Sequence, residues 1–110
     1  MLNHPAAAWI ILLLAGLCEI GWAAAMKASQ GFTRPLASVL AIVGSLVSFF
    51  LLGFSMRTLP IGTSYAIWTG IGAVGAAICG VLFWGEAATP LRIGCVLLIV
   101  LGMIGLKLSS

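Results

Sequence analysis

Charge is nearly missing from this sequence. Only 6% of its 110 residues are Asp, Glu, Lys or Arg, whereas 63% are hydrophobic. A soluble domain carries about a quarter charged residues, so this chain cannot cover a surface in water. Aspartate is absent, and the two acids are Glu19 and Glu86. Histidine occurs once, at His4, and the three cysteines fall in separate apolar runs. That leaves no CxxC pair and no zinc-ligand spacing. Cys18, Cys79 and Cys95 read as small buried hydrophobes, and neither a metal nor a cofactor is expected. The net charge of +3 comes from scattered basic residues, which make no stripe of the kind nucleic acid requires.

What is there is length in apolar runs. Residues 6–26, 36–56 and 61–84 give stretches of 21, 21 and 24 residues with Glu19 as the only charge. Each meets the requirement of about 20 apolar residues for a 30 Å hydrocarbon core. A fourth, uncharged over 93–106, is short. Arg92 and Lys107 flank it and can snorkel to the two headgroup layers, so 91–108 reads as a fourth span. Pro5, Pro35, Pro60 and Pro90 each stand just before one stretch, where a missing N–H costs nothing. The fold class expected is an all-α membrane protein of four transmembrane helices in one domain, residues 1–110. Short loops make neighbouring helices antiparallel and leave no room for an active site in water. No cationic segment precedes the first run, and Glu19 interrupts it. It reads as a retained helix rather than a cleaved signal.

Loop charges normally set orientation. Here Lys27, Arg34 and Arg92 lie on one side, Arg57 and Lys107 on the other. Two readings stand side by side: too few charges to judge, or a chain that inserts both ways.

Glu19 dominates the chemistry. It lies seven residues from Met26, about 10 Å into the span, too deep for a short side chain to reach the interface. A carboxylate near the bilayer centre costs several kcal/mol, and such acids mark ion or proton pathways. No cation lies inside the spans to pair with it. Ala15, Gly16 and Trp22 share its helix face at offsets of three and four. Gly16 either leaves room for a ligand or lets two helices approach. In the second span, Ser45, Ser48 and Ser55 lie on one side. The third span opens with Tyr65, Trp68 and Thr69 on one face, which fits either an aromatic box for a cation or ordinary interfacial aromatics. Gly70 and Gly72 at mid-span invite a hinge. In the fourth span Gly94, Gly102 and Gly105 share a face suited to helix packing between subunits. Glu86 reads as a solvated loop residue and His4 as interfacial.

With these residues in place, the chain resembles the small multidrug resistance family of bacterial inner-membrane transporters over nearly its whole length. The resemblance rests on Ala15 through Glu19, Met26-Lys27, Gly31 through Arg34, Ser48-Phe49, and above all the long run Leu59 through Gly72. Trp22, and Ser45 where the drug-exporting branch tends to carry tyrosine, make it similar to the guanidinium-exporting branch. The segment before Pro5 is slightly longer than the family pattern.

The resemblance implies an antiparallel homodimer with both copies of Glu19 facing one cavity. It implies that Trp22, Ser48, Tyr65 and Trp68 surround the acid, that the glycines of the third helix bend during alternating access, and that the fourth helices form the dimer contact. The expected partners are a guanidinium-type cation, protons and membrane lipid. Proton and substrate would compete for Glu19, with Trp22 and Ser48 as the nearest donors to its carboxylate. An exporter of quaternary ammonium or lipophilic cationic drugs is the alternative, and a non-transporting membrane assembly subunit is a second one.

Overall fold

The computed structural model describes residues 5–109. His4 and the extension before Pro5 lie outside the described residues. Four helices follow in order: α1 (Pro5–Ala28), α2 (Pro35–Ser55), α3 (Ile61–Trp84) and α4 (Pro90–Ser109). All four are long and apolar enough to cross a membrane, and no strand occurs among the described residues. The weak fourth stretch is a helix of 20 residues, because Pro90 starts it at the first turn and Arg92 and Lys107 both fall inside it.

Local chemistry explains the connections. Ser29 is fully buried at the end of α1. Its hydroxyl donates to the Met26 carbonyl at 2.7 Å and accepts from the Phe32 N–H at 3.0 Å, which turns the chain through Gln30, Gly31 and Phe32, all at positive φ. Proline at N1 then opens α2. At the end of α3, Gly85 takes the left-handed conformation (φ 65°). There the Glu86 N–H returns to the Gly80 carbonyl at 3.0 Å, closing the helix as glycine commonly does.

Helix α1 packs along both α2 and α3, whereas the backbone of α4 neighbours α3 alone. The core gathers Ala8, Leu12 and Ala15 of α1, Leu52 of α2, Leu59, and Ile67 and Trp68 of α3. Cys95, read from the sequence as buried, is exposed, while Cys18 and Cys79 are half-buried. The reason is that α4 buries no residue at all. Glu86 also departs from a free solvated acid: its carboxylate accepts from Arg92 at 2.9 Å, and Arg92 donates also to the Ala87 carbonyl at 2.9 Å.

Candidate functional site

Three layers, each one helical turn from the next, make the site. In the first, the Ser48 hydroxyl donates to the Ala15 carbonyl at 2.7 Å. It accepts in turn from the Trp68 indole N–H at 2.9 Å. One bonded chain thus ties α1, α2 and α3 together through a fully buried Ser48. Four residues further along α1 and α3 come Glu19 and Gly72. The Glu19 carboxyl lies directly on Gly72, so closely that a Cβ there would overlap it. Another turn along α1, Trp22 fits against Gly44 of α2, where an added Cβ would approach the Trp22 Cβ to 2.8 Å.

Buried polar atoms stay unsatisfied in the second and third layers, and at Ser64 Oγ one turn before Trp68 on α3. Glu19 Oε2 and Trp22 Nε1 are buried and have no hydrogen-bond partner among the described residues. Buried polar groups are nearly always bonded, and exceptions point to function or to an absent ligand. Glu19 stands nine residues from the Ala28 end of α1, about 14 Å along the axis. No side chain of opposite charge pairs with it among the described residues.

Four aromatic rings follow one another in a row from Trp22 to Tyr65. Trp22 and Phe49 have centroids 6.1 Å apart, Phe49 and Trp68 5.6 Å, and Trp68 and Tyr65 5.5 Å. Trp68 is buried, whereas Tyr65 is 55% exposed on the outer side of α3. Phe49 had no assigned role in the sequence reading, although it follows Ser48 directly. Its signal was its place four residues beyond Ser45, at the edge of the serine stripe.

The structure separates the remaining candidates. Gly16 lies against Ile71 and Gly70 against Met103, so closely that a Cβ at either would overlap that side chain. α3 runs unbroken through Gly70 and Gly72. On α4, a Cβ at Gly94, Gly102 or Gly105 would meet nothing; these three face away from the chain. Ser48, expected as a donor to Glu19, instead spends its single proton on Ala15. It positions Trp68 rather than the carboxylate. Among the described residues no cluster of His, Cys, Asp or Glu is fit to hold a metal.

Four helices long and apolar enough to cross a membrane, with a half-buried acid on the first of them, define a multi-pass membrane protein. The model of the Small Multidrug Resistance protein family matches residues 7–106, and the chain belongs to that family. Over 102 residues it is 54% identical to a guanidinium exporter of Escherichia coli (strain K12), covering 93% of this chain and 97% of that one. It is 56% identical over the same shares to guanidinium exporters of Citrobacter freundii and Salmonella typhimurium. These relatives are named as exporters, not as enzymes.

Proposed function

We propose that this chain exports guanidinium and small substituted guanidinium cations across the bacterial inner membrane in exchange for protons. In this reading it works as an antiparallel homodimer with two copies of Glu19 in one cavity. The observation that carries the proposal is the Glu19 carboxyl group, buried on one side without a partner and seated in the notch of Gly72. Relatives named guanidinium exporters support the choice of cation.

The chemistry follows from donor counting. Guanidinium carries only N–H donors, and its planar fork fits a carboxylate through two parallel bonds. An indole N–H is also donor-only. Trp22 Nε1, unpaired in this structure, would therefore turn to the carboxylate, not the cation, when the fork is bound. The flat cation stacks on the rings of Phe49 or Trp68. Ionised Glu19 binds the cation, and protonated Glu19 is neutral and lets it go. Proton and substrate exclude each other at one group, so protons running inward drive the cation out. Bending at Gly70 and Gly72 would open the cavity to either side, and Gly94, Gly102 and Gly105 would pack the fourth helices of the two copies.

The row of four aromatic rings favours cations in general and keeps the quaternary ammonium reading as the competitor. Such a cation has no N–H to give Glu19. Transport of guanidinium beside tetramethylammonium, in liposomes holding only this chain, separates the two. Guanidinium should exceed tetramethylammonium by about ten-fold or more, the worth of a hydrogen bond to a charged group. Equal rates would favour the drug exporter, and no transport of either would favour an assembly subunit.

A further inference from the structure

The chain has five basic side chains, and three of them are engaged within it. Arg92 is paired with Glu86. The Arg57 guanidinium lies over the Phe54 ring, 5.1 Å from its centroid, and the Lys107 ammonium lies over the Trp9 ring at 4.4 Å. Lys27 and Arg34 remain. Both are exposed, and neither side chain has a hydrogen bond, ion pair or ring contact among the described residues. The acidic side chains cannot neutralise them: Glu19 stands nine residues from the end of α1, and Glu86 is already taken by Arg92.

These two cations flank one turn. Lys27 stands in the last turn of α1, and Arg34 immediately precedes Pro35 at the start of α2. Ser29 draws the backbone between them together. Its carbonyl accepts from the Thr33 N–H at 2.9 Å and from the Arg34 N–H at 3.1 Å, while the Lys27 carbonyl accepts from the Gln30 N–H at 3.3 Å. Gln30 and Phe32 hold φ of 49° and 64°, a region that residues other than glycine seldom occupy. With the turn fixed in this way, Phe32 is 52% exposed, an apolar ring in the segment between two cations.

Depth identifies the partner. The turn joins the ends of two membrane-length helices, which places it at the headgroup layer. Phe83 and Trp84, at the end of α3 on the same side, are exposed as well and mark the interfacial aromatic level. There, unpaired cations meet lipid phosphates, and an apolar ring meets the acyl chains beneath them. A soluble acidic partner would answer the charges but leave the Phe32 ring in water.

We propose that the α1–α2 turn binds the headgroup of an anionic phospholipid, with Lys27 and Arg34 on its phosphate and the Phe32 ring against the tops of its acyl chains. The inference concerns lipid and is independent of which cation crosses the membrane.

Native mass spectrometry of the purified chain tests it, with phosphatidylglycerol and phosphatidylcholine of identical acyl chains as probes. The unmodified chain should retain phosphatidylglycerol about twenty-five-fold more strongly, about five-fold for each cation near an anionic headgroup. Lys27→Gln and Arg34→Gln should each lower that preference by about five-fold, and the double variant should erase it. Arg57→Gln, the control on the opposite side, should leave it in place. Phe32→Gly, which suits the left-handed backbone, should lower retention of both lipids and keep their ratio. Glycerol phosphate without acyl chains should displace neither lipid. Equal retention of the two lipids by the unmodified chain would overturn the proposal. So would a preference that survives the double variant, or an Arg57→Gln loss as large as that of Lys27→Gln, which would mean diffuse charge attraction. Displacement by glycerol phosphate would mark a phosphate site alone, and unchanged retention in Phe32→Gly would remove the ring; either result also overturns it. Should the double variant fail to fold, Lys27→Gln alone decides, because that exposed side chain makes no polar contact within the chain.

Discussion

Helices α1, α2 and α3, with Leu59 between the last two, supply every buried residue of the core, whereas α4 supplies none. Composition does not explain the difference, since α4 is as able to span a membrane as the others. The glycines do. In the three-helix part Gly16, Gly44, Gly72 and Gly75 are notches filled by Ile71, Trp22, Glu19 and Ile20, while Gly21, Gly53 and Gly62 face open space. On α4 the notches at Gly94, Gly102 and Gly105 are empty. Lipid tails are as apolar as leucine, so helices in a membrane associate by close fit at small residues. A filled notch records a contact made within the chain. An empty one on an exposed helix leaves room for another helix, and in the proposed dimer that helix would be α4 of the second copy.

Matched substitutions break or sharpen this contrast. Gly72→Ala places a Cβ on the Glu19 carboxyl and should have the largest effect. Overpacking of this kind costs about 1–3 kcal/mol, and guanidinium binding by calorimetry in detergent should fall by ten-fold or more. Unchanged binding would mean the carboxyl does not act from the Gly72 notch. Gly105→Leu meets open space in one chain, so subunit folding should hold while dimerisation weakens by about 1–3 kcal/mol. A dimer unaffected in cross-linking would remove α4 from the interface. Ser48→Ala leaves the Trp68 N–H unpaired and the Ala15 carbonyl with its intrahelical bond alone. Hydrogen bonds between membrane helices average about 0.6 kcal/mol and reach about 1.7, so the loss should be about 1–2 kcal/mol of stability in an unfolding titration. Because Ser48 positions a ring rather than the carboxylate, guanidinium and a bulky aromatic cation should weaken by similar factors. A loss confined to guanidinium would return Ser48 to the role of direct donor. Glu86→Gln should matter least, because exposed ion pairs are worth about 0–1 kcal/mol. Thermal melting of the detergent-solubilised protein measures it, and a larger loss would mean the Arg92 pair anchors α4 to α3.

The spans and the depth of Glu19 were legible because both are one-dimensional facts: run length and the position of a lone acid within a span. Pro90 and Lys107 even recovered the weak fourth helix. The partner of Ser48 was not legible. Its acceptor, Ala15, lies 33 residues away, and the pairing depends on how α2 is rotated about its axis. In water an apolar stripe reveals that rotation. In a membrane a helix is apolar all round, so α3, with alanine, isoleucine and glycine spread around it, hides which face is inside. The same limit explains Phe49, whose place between the Trp22 and Trp68 rings is a product of three-helix packing. It also explains Cys95, whose apolar surroundings in sequence turned out to face outward.

The central claim is that one group, Glu19, binds proton and cation in turn. The direct measurement is guanidinium uptake into liposomes containing only this chain, driven by a proton gradient and compared with Glu19→Gln. The unmodified chain should concentrate guanidinium against its gradient. Its guanidinium affinity should fall as pH falls, by up to about ten-fold per unit where one proton displaces one cation. Glu19→Gln, fixed in the neutral form, should insert and dimerise yet show no concentrative uptake at any pH. Concentrative uptake retained by Glu19→Gln, or a guanidinium affinity indifferent to pH in the unmodified chain, would contradict the account.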